Sequence, residues 1–190
     1  MSPAETLAFF RSFHKRVLTF FGYSVDYEDR ESMLAIVRRG LSKIPPEAVL
    51  INIGATASGV GAVYPLAKSM GFTTTGIVSS VAAEHMESIS DAVDYVCFVA
   101  DTQWGGRLAG TDRLSPTSQA MVACSDVLVA IGGGEVTRDE LVAGKAAGKP
   151  VYFYRAEVSH SYLTQRARKK NEPPPESFWG AAHEVFGKKE

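Results

Sequence analysis

Cysteine is scarce in this 190-residue chain: Cys97 and Cys124 are the two, both inside apolar segments, with no Cys-x-x-Cys pair. That rules out a disulfide framework and a thiolate metal site, and reads as two buried free thiols suited to a reducing compartment. Histidine is scarce as well. His14, His85, His160 and His183 show no metal-ligand spacing, so no metal site is expected. Neither charge dominates, and the formal net charge of -1 leaves no surplus of cations to displace counterions, which argues against nucleic acid as a partner. No apolar run approaches the ~20 residues of a membrane span. The N-terminal stretch LAFFRSFHKRVLTFFGY is broken by Arg11, His14, Lys15 and Arg16, unlike the apolar core of a signal peptide. A soluble, cytoplasmic protein without nucleic-acid or membrane partners is expected. The 45% apolar and 22% charged content sets disorder and fibrous classes aside, and the length suits one domain over residues 1–190.

The most informative stretch is 125–154, SDVLVAIGGGEVTRDELVAGKAAGKPVYFY. Val127–Ile131 is a continuous apolar run, the composition of a strand buried on both faces. Gly132, Gly133 and Gly134 follow, where the backbone can approach a ligand closely. Thr137, Asp139 and Glu140 then open a helix whose first turn offers free N–H groups and a positive dipole end, the physics of an anion site and most often of a phosphate. Gly148 closes that helix, and Val151–Tyr154 is the next strand. The plainer reading is that the glycines only turn the chain, Thr137 starts a helix and Glu140 is an ordinary first-turn acid.

Elsewhere the pattern alternates. A helix is expected over 3–14 with Ser2 as cap, then a strand over 17–21, although one amphipathic helix over 4–21 fits the periodicity equally. Helices follow at 31–41 and from the loop GATASGVGA to Lys68, with strands at 49–53, 73–78 and 94–99. A short helix is expected at 84–90, an irregular loop at 101–115, a helix at 116–124 and a polar helix near 159–170. After the turn at 171–175, a last short helix holds Phe178, Trp179 and Phe186. The core spans about 16–156, with 157–190 as a helical strap across it. Nearly all-apolar strands alternating with helices imply an α/β fold of three layers, Rossmann-like, with a mostly parallel sheet flanked by helices. Ligands bind such sheets beyond the C-terminal strand ends, where the topology reverses. Glycine turns stand there three times: Gly22 after the first strand, Gly54, Gly59 and Gly61 after the second, and Gly132–Gly134 after the fifth.

These turns resemble those of the SLOG superfamily of Rossmann-like proteins. That superfamily includes the Lonely-Guy-type phosphoribohydrolases, often labelled lysine decarboxylase-like, and the molybdenum-cofactor carriers. Its motifs G-S-S, G-G-G-x-x-G-L-M-G and P-G-G-x-G-T-x-x-E are met here by FFGYS, IGATASGVGAV and GGEVTRDE. Gly22, Ser24, Gly54, Gly59, Gly61, Gly133, Gly134, Thr137 and Glu140 match. Val136 stands where the family has glycine, and the second motif matches if one residue is missing. The resemblance covers roughly residues 16–156 and favours a strand at 16–21.

It implies a ligand site of Gly22, Ser24, Gly54, Gly59, Gly133, Gly134 and Thr137, to which the glycine turn read above adds Gly132. It also implies Glu140 and a cation as the groups acting on an N-glycosidic bond. The family's Arg-Lys pair ahead of a methionine is replaced: Met121 aligns, but the pair becomes Thr117–Ser118. Arg113, one turn earlier, is the nearest arginine, with Arg138 as another route to a cation. The expected function is therefore a nucleotide- or phosphate-ligand-binding sensor or carrier with weak or no hydrolase activity. The alternatives are a nucleoside-monophosphate phosphoribohydrolase, with a deoxyribosyltransferase as a more distant variant, and a scaffold dimerising through helices that carry Met121, Val122 and Leu141. No resident cofactor is expected beyond a nucleotide or other phosphate ligand, and a homodimer is the expected assembly.

Outside these motifs, Trp104 reads equally as a base-stacking residue or as a loop anchor. Asp112–Arg113 reads equally as a ligand clamp or as a surface ion pair. His85 reads as solvated, and so does the basic cluster at 166–170.

Overall fold

The computed structural model describes residues 1–188, so the last two residues of the expected strap lie outside it. Six strands form one parallel sheet in the order β4-β3-β2-β1-β5-β6. They are β1 (Arg16–Gly22), β2 (Val49–Ile53), β3 (Thr73–Ser79), β4 (Tyr95–Val99), β5 (Val127–Ile131) and β6 (Val151–Tyr154). The α/β expectation is met. The chain winds outward from β1 to β4, then returns to place β5 on the other side of β1. The topology therefore reverses between β1 and β5, and a crevice opens there beyond the strand ends.

The helices are α1 (Pro3–Ser12), α2 (Arg30–Leu41), α3 (Val63–Ser69), α4 (Pro116–Cys124), α5 (Glu135–Ala146), α6 (His160–Lys169) and α7 (Ala181–Phe186). The N-terminal ambiguity resolves into helix then strand. Ser2 and Glu5 form a reciprocal capping box at the start of α1, and His14, with φ 52°, stops it. Residues 17–21 then run buried without a break between two neighbouring strands.

Side-chain alternation along β1 divides the core. Leu18 and Phe20 join Met33, Val37 and Leu41 of α2 and Val63, Tyr64 and Leu66 of α3 on one face. Val17 and Phe21 join Phe10 of α1, Met121 of α4 and Leu141 of α5 on the other. Both cysteines lie in that second cluster, where burial pushes the thiols up to about 11 for Cys97 and about 12 for Cys124. They are packing residues.

Three expectations need correction. Residues 84–90 are not a helix; two 3₁₀ turns, Ser80–Glu84 and Met86–Ser88, occupy that region. The last helix starts at Ala181, leaving Phe178 and Trp179 in the connection before it. And α5 opens at Glu135, so Thr137 and Glu140 stand inside its first turns, where their side chains are buried.

Candidate ligand-binding site

The crevice at the reversal holds a cavity of about 490 Å³. Its walls come from the C-terminal ends of β1, β2 and β3, from the first turns of α4 and α5, and from the loop bearing Trp104. Gly22, Ser24, Gly54, Thr137 and Glu140 all reach this cavity. Thr137 also ties two of the glycine turns together, its Oγ1 donating to the Gly22 carbonyl at 3.2 Å. Gly22 has to be glycine because a Cβ there would overlap the hydroxyl of Tyr27. That hydroxyl donates to the Ile131 carbonyl at 2.8 Å and accepts from the Tyr23 N–H at 3.2 Å. It joins the ends of β1 and β5 at the switch point. Burial pushes the Tyr27 phenol well above its ordinary range, so it remains a neutral donor.

The other predicted positions lie elsewhere. Gly59 packs its α-carbon on the backbone of residues 23–25, away from the cavity wall. Gly132 lies against the Tyr23 ring and the Ala156 carbonyl. Gly133 is covered by the C-terminal strap: its carbonyl accepts the Ala182 N–H at 3.1 Å, and Gly180 is packed directly on it. Gly134 is the N-cap of α5 and brings no side-chain cap. The first-turn N–H groups of α5 are thus left without a capping side chain, with Val136 and Thr137 of that turn on the cavity wall. Arg113 is exposed beside the bridge between Arg107 and Leu114 and does not reach the cavity. The arginines near α5 are Arg138 and Arg107. Both face Asp139, with nitrogens 3.0 and 3.5 Å from Oδ1.

Glu140 is the one ionisable side chain among the described residues lining the cavity. Only 4% of it is exposed. Its Oε1 accepts a 2.6 Å hydrogen bond from Ser118 Oγ, which in turn accepts the Gly106 N–H at 2.7 Å. Burial raises its carboxyl to about 8, against the Ser118 bond, which favours the anion, and with the nearby Asp139 charge pushing the same way as burial. At neutral pH Glu140 is therefore a neutral acid. Beside it, Thr117 lines the cavity and keeps a buried Oγ1 without a hydrogen-bond partner. Thr117 and Ser118, which the sequence resemblance sets in place of the Arg-Lys pair, both bring hydroxyls to this position.

Sequence reasoning did not assign site roles to Ser118, Tyr23, Tyr27 or Arg107. Their partners are 22, 133, 104 and 32 residues away, and no local pattern marks such pairs. No group of three or more His, Cys, Asp or Glu able to hold a metal occurs among the described residues. No described helix is long and apolar enough to cross a membrane.

The parallel sheet, its strand order and the cavity at the reversal define a Rossmann-like α/β protein. Solved structures share the architecture. The molybdenum cofactor binding protein from the phototrophic bacterium Rippkaea orientalis is 20% identical, with 83% of this chain and 85% of that one covered at a TM-score of 0.54. A Moco carrier protein from Chlamydomonas reinhardtii is 23% identical over 81% and 85%, at 0.53. A second structure of the molybdenum cofactor carrier protein from that alga is 25% identical over 73% and 76%, at 0.51. No family model and no curated protein sequence matches the chain. At these identities the likeness is one of fold, and the resemblance read from the glycine turns holds at that level.

Proposed function

We propose that this chain is a small-ligand carrier or sensor whose occupant is a phosphorylated heteroaromatic compound, nucleotide-like or pterin-like, bound at the switch-point cavity. The observation that carries the reading is Glu140, held as a neutral acid by burial and hydrogen-bonded to Ser118, with no cation among the described residues on the cavity wall. A neutral carboxyl does not repel an anion. The uncapped N–H groups of α5 and the hydroxyls of Ser24, Thr56 and Ser58 supply donors for a phosphate. The apolar strand ends beside them (Phe21, Ile53 and Ile77) suit a flat ring. Cleavage of an N-glycosidic bond through a cationic transition state calls for a carboxylate facing the sugar, and this site withholds it. The likeness to molybdenum-cofactor carriers supports a ligand-carrying role.

One observation favours the second reading, a phosphoribohydrolase. An acid still protonated near neutrality is able to donate a proton to a departing base. Thermal unfolding with AMP, GMP or hydroxymethylpterin phosphate separates the two when paired with an assay for released base. Binding at a hundredfold excess over Kd stabilises by about 2.7 kcal/mol, and no base is expected to appear. Absence of stabilisation by any of these at millimolar concentration overturns the binding proposal. Base release abolished by Glu140→Gln establishes the hydrolase instead.

A further inference from the structure

Trp104 is 56% exposed, yet it lines the cavity. A tryptophan serving to anchor its own loop would bury its ring in the core, where its large apolar area contributes most. This one instead shares the cavity lining with Ala82, Ser88 and Ile89, and His85 of that segment lies beside it at 5.6 Å between ring centroids and 35° between planes. The loop holding it is anchored by other atoms. Gly105 and Gly106 lie against Val136 at the first turn of α5. The Gly106 N–H is fixed to Ser118, and the Gln103 amide donates to the carbonyls of Gly105 and Arg107 at 3.2 and 2.9 Å. The backbone is thus pinned on both sides of an indole that stays more than half exposed beside the His85 ring.

We propose that Trp104 is a specificity-determining residue of this site, laying its indole on the planar fused heteroaromatic ring of the bound ligand. The inference rests on the binding proposal above and adds to it the group that selects ring-bearing ligands over simple phosphates. An exposed indole at a cavity mouth gains area and π contact only when a flat apolar face arrives. Stacking of this kind tolerates purine and pteridine alike, because each offers a π-face. The α5 N–H groups, by contrast, would hold any phosphate.

The test reads affinity and fluorescence separately. The chain has two tryptophans, Trp104 and Trp179. Trp179 stacks on His183 in the strap, outside the cavity, so Trp179→Phe leaves Trp104 as sole reporter. Calorimetry with AMP and with hydroxymethylpterin phosphate should show roughly ten- to hundredfold weaker binding to Trp104→Ala, with most of the affinity kept by Trp104→Phe. Ribose phosphate, which carries no ring, should bind wild type and Trp104→Ala alike. The emission of the Trp179→Phe protein should change on saturation with the ring-bearing probe. If that probe binds Trp104→Ala as tightly as wild type, or leaves the emission unmoved, the stacking role is overturned while ligand binding stands. Equal weakening of ribose phosphate would show Trp104 acting through the loop, which also overturns it. If no ring-bearing probe binds, both proposals fall.

Discussion

Replacing Glu140 by glutamine tests the electrostatic account of the site directly. The folded carboxyl titrates near 8 against an ordinary value of 4.5. Between those two pH values the folded chain holds a proton that the unfolded chain has released. Unfolding free energy therefore falls as pH rises, by about 1.4 kcal/mol per unit, until the folded carboxyl itself ionises. The contribution is complete below pH 4.5 and is lost progressively on the way to pH 8. At pH 7 the wild type has given up roughly 3 kcal/mol relative to a neutral residue in the same place. Glutamine matches the shape of the protonated acid, and its carbonyl oxygen still accepts the Ser118 hydroxyl. Urea unfolding of wild type and Glu140→Gln at pH 5, 6 and 7 should give a stability difference in favour of the variant that grows at each step. Taking the difference cancels every other titrating group common to both proteins. A difference that stays flat with pH, or a variant less stable by the same amount throughout, would refute the claim that Glu140 is a desolvated neutral acid.

Three further outcomes follow from the geometry. Tyr27→Phe leaves the buried Ile131 carbonyl and Tyr23 N–H without their shared partner, so the urea midpoint should fall by an amount equivalent to roughly 1–3 kcal/mol. Arg113→Ala should leave both ligand affinity and stability within about 0.5 kcal/mol of wild type, because the side chain is exposed and off the cavity; a large loss of binding in calorimetry would return Arg113 to the site. Gly180→Ala drives a Cβ into the Gly133 carbonyl. It should loosen the strap, seen as faster amide exchange of Ala182 and faster proteolysis near residues 171–180, while α2 and α3 on the opposite face keep their protection.

Much of the fold was legible in the order of residues, for a physical reason. A strand buried between two parallel neighbours has to be apolar along its length, as in Val49–Ile53 and Val127–Ile131, and a chain leaving such a strand into a helix needs a turn that few residues other than glycine can make. Those two requirements act locally, so they appear as runs and breaks that a reader can find. Segments with neither signal were misplaced. Residues 84–90 mix charged, polar and apolar side chains without a clear period and lie in a region of 3₁₀ turns, and Phe178 and Trp179 are aromatic without being helical. The strand at 16–22, which the apolar run allowed beside a helical alternative and the resemblance favoured, is fixed by burial between β2 and β5.

The site divides along the same line. Sequence placed Gly22, Gly54, Thr137 and Glu140 beyond one sheet edge, because each follows a recognisable strand. Tertiary packing alone decided which glycines face the cavity: Gly132 and Gly133 are screened by Tyr23 and by a strap joined to the turn through Ala182, far along the chain. It alone turned Glu140 from a first-turn carboxylate into a neutral acid. Protonation depends on what surrounds a group in space, and here that is Ser118, an apolar wall and a paired Asp139. Residue types and their spacing set where backbone donors gather; the charge they meet is set only when distant segments close around them.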